Sequence, residues 1–168
     1  MESVEELKSK FSNIYIMLLF AVMTNNLDKV KHFLSNKVLK TYEDVIRKNI
    51  SNNEVQMYDE LNVKSIDIIS MEETIDYYLV KVRIISRYMD YIVDNAGKYK
   101  RGINDRRIEK ENYLIFRKNK RAEDKGPVVK CLYCGANLDI NFYGVCEYCG
   151  MKMDVTSYDY ILEDIVVK

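Results

Sequence analysis

The sequence predicts an α+β protein, with N-terminal helices packed on a curved antiparallel sheet and a small zinc-ribbon hairpin domain after it. Three observations carry this. Apolar residues recur at helical spacing over roughly the first fifty positions. The period then switches to two, as in Tyr78, Val80, Val82 and Ile84 alternating with Leu79, Lys81, Arg83 and Ile85. Finally, the only 4 cysteines fall in two matched pairs, Cys131-Leu-Tyr-Cys134-Gly and Cys146-Glu-Tyr-Cys149-Gly.

The first helix starts at Ser3, because Ser3-Val-Glu-Glu6 is a capping box that satisfies two end donors reciprocally. Leu7, Phe11, Ile14, Tyr15, Leu18 and Val22 make one buried stripe, and Ile16, Leu19, Phe20 and Met23 a second on another side. A helix apolar on two sides is covered on both, by its own domain and by a sheet edge, the zinc segment or a partner. Asn25 or Asn26 is expected to cap a short second helix with Leu27, Val30 and Leu34 inward, which leaves His32 in solvent. Ser35 opens a third, with Val38, Leu39, Tyr42, Val45, Ile46 and Ile50 as its apolar face.

Strands are expected at Leu61–Met71, around Tyr78–Ile85 and at Ile108–Lys118, with Asn95-Ala-Gly97 as the turn between long partners. The layout of helices first and antiparallel strands after is that of an α+β domain spanning 1–124. A linker holding Pro127, the only proline, leads to a zinc domain spanning 128–168. Tyr158–Val167 reads as a final strand, too apolar to hang free, that docks on the ribbon hairpin or on the helix-and-sheet domain, where it could cover the second stripe of the first helix.

Two residues inside each cysteine pair suit a tight turn that aims both sulfurs at one point. The glycine after each pair permits the positive φ such a turn needs. Eleven residues, Gly135–Val145, separate the pairs, enough for a hairpin that brings the turns face to face. Cys131, Cys134, Cys146 and Cys149 therefore read as four thiolate ligands of one structural zinc, a closed tetrahedral site with no position left for chemistry. Iron is the competing metal, since tetrahedral sulfur suits it too. Two disulfides fit less well, as does a redox CxxC, which is a single pair beside a βαβ pattern.

Lysine and arginine equal aspartate and glutamate at 26 each, but unevenly along the chain. Lys98–Lys125 carries 11 basic against 5 acidic residues, while 127–168 carries 3 against 6. An acidic ribbon opposes phosphate backbones, so nucleic-acid binding, with Tyr133, Tyr143 and Tyr148 stacking on bases, is the runner-up function. The longest apolar run, Ile14–Met23, is ten residues, about half of a membrane span of ~20. Thiols kept for a metal and the acidic start at Glu2, Glu5 and Glu6 point to the cytoplasm.

Helices followed by a sheet whose last strand reads Glu111-Asn-Tyr113-Leu-Ile115-Phe-Arg117 resemble the bacterial relatives of the mitochondrial inner-membrane translocase subunit of 44 kDa. That family has the cone fold of nuclear transport factor two, and its last strand is similar to Glu-x-Trp-x-Phe-x-Arg. Several members continue into a four-cysteine ribbon and a tail like the Tyr158-Asp-Tyr-Ile-Leu162 and Ile165 seen here. Leu132 stands where proline is common, and the membrane helix of many relatives is lacking. The resemblance implies a protein-interaction or membrane-proximal transport accessory role, with peripheral membrane contact.

A concave apolar interior suits a protein segment or a hydrophobic ligand, and Phe11, Tyr15, Leu18, Tyr78, Val80, Val82 and Ile84 are the residues expected to line it. An enzyme on this fold, the least favoured reading, would place Asp67 or Asp90 at the pocket floor. One histidine and no glycine-rich phosphate loop leave no acid–base constellation, so the chain reads as a non-catalytic binding module.

Overall fold

The computed structural model describes residues 2–120, 128–130, 134, 135, 137–139, 148, 149 and 159–167. Helix α1 spans Val4–Met23 and starts at the expected box: Ser3 Oγ accepts from the Glu6 N–H, and Glu6 Oε2 accepts from the Ser3 N–H, both at 3.1 Å. Thr24 ends it by returning its hydroxyl to the Phe20 carbonyl at 3.0 Å, and Asn25 turns the chain with φ +52°.

The expected second helix does not form. Asn26 Oδ1 takes the Asp28 N–H at 2.9 Å, and this side-chain turn competes with helix initiation. At the other end the Ser35 N–H is held by the Leu162 carbonyl at 2.9 Å, which fixes Leu34 in an extended bridge to Leu162. Only a 3₁₀ turn, Lys31–Phe33, fits between, and it swings His32 inward to 9% exposure, against the solvated position expected. Helix α2, Asn36–Ser51, begins where Ser35 caps it and buries Val38 and Ile46.

Strands β1 (Glu54–Glu73), β2 (Tyr77–Asp94), β3 (Tyr99–Asn119) and β6 (Ile161–Val167) form one antiparallel sheet in that order. The short strands β4 (Val128–Lys130) and β5 (Asn137–Asp139) pair separately. Thr74 Oγ1 accepts the Asp76 and Tyr77 N–H groups to close the β1–β2 turn. Asp94 Oδ1 accepts the Ala96 and Lys98 N–H groups at the β2–β3 turn. Gly102 pairs with Tyr91 between two register shifts and has φ +109°, and a Cβ there would lie 2.5 Å from the Tyr91 Cα. No other residue fits at Gly102.

Alternation sorts the sheet. Val80, Val82, Ile84, Leu114 and Phe116 turn toward the helices, with no solvent exposure at any of them, and meet Phe11, Tyr15 and Leu18 of α1. The tail joins the domain as its fourth strand and adds Tyr160, Ile161 and Leu162 to the buried set. The second stripe of α1 is divided: Leu19 is buried in the core, whereas Phe20 stays 53% exposed and is not covered by the tail.

Candidate functional site

Of the seven residues expected to line an interior pocket, six are fully buried and Tyr78 is half-buried. Their surroundings are core. Phe11 stacks on Phe116 with ring centroids 4.0 Å apart, and Tyr160 closes edge-on at 5.3 Å. Further along the sheet the inner face turns polar. Tyr15 Oη and Ser86 Oγ share a hydrogen bond of 2.7 Å, and Asn112 Nδ2 donates to Tyr15 Oη at 3.3 Å.

Around this triad stand Tyr42, Tyr58 and Tyr88, the last two edge to face at 4.9 Å. Burial raises the phenol pKa of all three, with smaller contributions from neighbouring phenols; Tyr42 reaches about 12. These phenols stay protonated at any physiological pH and can only donate or accept hydrogen bonds.

The two carboxylates proposed for a catalytic floor serve elsewhere. Asp67 lies on the outer sheet face, where Arg83 sits 3.7 Å from it and 3.8 Å from Glu111. Asp90 accepts a hydrogen bond of 2.7 Å from Gln56 Nε2. Glu111 and Arg117, roughly 20 Å apart along β3 by strand rise, each pair across strands, Arg117 reaching Glu163 of β6 at 3.3 Å. Part of the basic stretch is likewise neutralised, Lys100 and Arg101 on Glu54 and Arg106 on Asp105.

Glu54 is the tightest of these pairs. Its side chain is 9% exposed, and Arg101 grips both carboxylate oxygens at 2.9 Å with Lys100 at 3.2 Å. The Arg101 bonds, aided by Lys100, hold its pKa down to about 2 against an ordinary 4.5. A depressed carboxylate stabilises the fold above its unfolded pKa and loses that contribution as pH falls through the folded value. Urea midpoints of the wild type should therefore drop from pH 4.5 toward pH 2, and Glu54→Gln should flatten that part of the profile. An identical slope in both proteins would remove Glu54 from the account.

Surface clefts border the helices. One of about 450 Å³ lies near its N-terminus, where Lys10 bridges Glu2 and Asp159 at 2.6 and 2.9 Å and ties the returning tail to the helix. A second, about 320 Å³, lies between Ile16, Phe20 and Met23 of α1 and Met57–Leu61 of β1. A third, about 400 Å³, runs from Asn25 to Ile50 of α2. Sequence reasoning missed all three, since each joins segments distant in the chain.

Of the zinc candidates, Cys134 and Cys149 are described, both exposed and both in turns. Cys131 and Cys146 lie outside the described residues, as do Tyr133 and Tyr143. Strands β4 and β5 pair Lys130 with Asn137, and Cys134 lies in a turn between them. Gly135 has φ +78°, the conformation a thiolate turn asks of that position.

The profile of the Tim44-like domain family matches residues 3–127. The chain belongs to that family. No curated protein matches it in sequence. Among solved structures, the intermembrane space region of chloroplast protein ARC6 aligns with a TM-score of 0.44 and 9% identity, over 95% of each chain. Within the Tim44-like domain and its tail, no described helix is long and apolar enough to cross a membrane.

Proposed function

We propose that this Tim44-like chain is a non-catalytic, zinc-stabilised binding module that takes a protein partner in a transport-associated, membrane-proximal setting. Membership of the Tim44-like family carries the reading, since the family match takes in both helices and the three long strands. The packed interior supports it: Phe11, Phe116 and Tyr160 occupy each other's contact surfaces, and the inward polar groups bond to one another. Such a domain acts through its surface. Native mass spectrometry of the chain isolated from its own cells should find a polypeptide bound. A bound oligonucleotide would favour the nucleic-acid reading, and a small-molecule turnover lost in Asp90→Asn would favour an enzyme.

Zinc belongs to the same proposal. Cys131, Cys134, Cys146 and Cys149 would hold it, and its role would be to supply folding free energy to a segment with little core of its own. The Gly135 conformation and the β4–β5 pairing suit a thiolate turn at the first pair. Elemental analysis should return one zinc per chain, and Cys146→Ser should lose it while the far-ultraviolet signal of the Tim44-like domain persists. Protein prepared without chelator that holds no metal refutes the zinc site; iron in its place changes the cofactor and keeps the ligands.

A further inference from the structure

The cleft between α1 and β1 combines two features that the fold itself does not require. Its walls are the side of α1 left uncovered by the tail: Ile16, Phe20 and Met23, facing Met57 and Leu61 of β1. Phe20 is 53% exposed, a large aromatic left in water beside other apolar side chains. At the edge of the same cleft stand Asp59 and Glu60, and among the described residues no lining side chain is basic.

The acidic pair is placed there by a backbone irregularity. Ladder pairing slips between Asp59 and Asn62, and Glu60 takes φ +55°, a left-handed conformation that a side chain adopts at some cost. The bulge takes Glu60 and Leu61 out of register and re-aims them at the cleft. Asp59 is held in place by two donors, the Tyr91 hydroxyl and the Glu60 N–H, each at 3.0 Å.

We infer that this cleft docks a short segment of a partner protein that presents a bulky apolar side chain next to a lysine or arginine. The apolar side chain enters against Phe20 and Met57, and the cation meets Asp59 and Glu60. Charge complementarity selects this occupant, because an anionic membrane surface or an acidic segment would be repelled at the same edge. The inference rests on the reading of the domain as a protein-binding module and names its site.

The test uses the full chain and a short fluorescein-labelled peptide of leucine and lysine, followed by fluorescence anisotropy. Saturable binding is expected, weakened about tenfold or more in Phe20→Ala, as for the loss of an aromatic anchor. Asp59→Asn with Glu60→Gln should weaken it comparably, and a peptide with glutamate for lysine should not bind. The control pair Glu5→Gln and Glu72→Gln, exposed positions away from the cleft, should bind as wild type. All substituted positions are at least partly exposed, so the thermal transition should be kept. Equal weakening in the control, or wild-type binding in Phe20→Ala, overturns the cleft assignment and leaves the binding module standing. Absence of binding by the wild type also overturns it. Sedimentation showing a wild-type dimer that Phe20→Ala dissolves would assign the cleft to a second copy. Phosphatidylcholine vesicles retained by the wild type alone would assign it to lipid.

Discussion

A chain ended at Ser157 should show no cooperative thermal transition, although everything removed lies beyond the residues matched by the family. Three side chains in the lost segment are buried in the domain: Tyr160 at 5% exposure, Ile161 at 3% and Leu162 at 0%. Burying each contributes about 1.5–3 kcal/mol, so their sum rivals the ~5–15 kcal/mol by which whole domains are stable. The loss does not stop there. Strand β6 pairs with Asn112–Arg117 of β3, and without it the edge of β3 is left open. The carbonyls of Leu162 and Glu163 accept the Ser35 N–H and hydroxyl, each at 2.9 Å, so the start of α2 loses its anchor as well. Circular dichroism on heating is the measurement. A truncated chain that melts sharply near the wild-type temperature would show that the tail decorates the domain and does not complete it. The single change Leu162→Ala, about 2–5 kcal/mol by cavity formation, should lower the melting point of the full chain without abolishing the transition.

What could be read from the residues follows burial. The stripe of α1 and the alternation of Tyr78–Ile84 were legible because one face of each is apolar and the other is not, and the structure buries those faces. The ends of the strands were not legible. β3 begins at Tyr99, well before the expected Ile108, because Tyr99–Ile103 is largely exposed and held by ladder pairing with Asp90–Val93. Backbone pairing leaves no apolar period. The failed helix after Asn25 has a different cause, since Leu27, Val30 and Leu34 are all buried as expected. Their spacing suited a helix, but Ser35 is committed to β6, more than a hundred residues later, and no local pattern reports that bond. The acidic cleft was hidden for the same reason: Phe20 and Glu60 meet only once the sheet is built.

Phe11→Ala should be the most damaging single substitution in the helices, and its size decides what the interior is. Phe11 has no exposed surface and touches aromatic rings on two sides, parallel to Phe116 at 4.0 Å and perpendicular to Tyr160 at 5.3 Å. Truncating a phenylalanine in so filled a place removes its transfer free energy and leaves a cavity that the sheet behind it cannot collapse into. The expected cost is about 3–5 kcal/mol, or a fall in melting temperature of roughly 10 °C for a chain of this size. Phe11→Leu, which keeps most of the apolar volume, should cost much less. If Phe11 instead lined a pocket held open for a hydrophobic ligand, the space beside it would already be empty. Its removal would then change stability little in ligand-free protein, and the loss would appear as weaker protection by added ligand. Denaturant melts of the two variants, with and without a hydrophobic probe such as a fatty acid, separate these outcomes. A large loss that the probe does not restore places Phe11 in the core and leaves recognition to the outside of the domain.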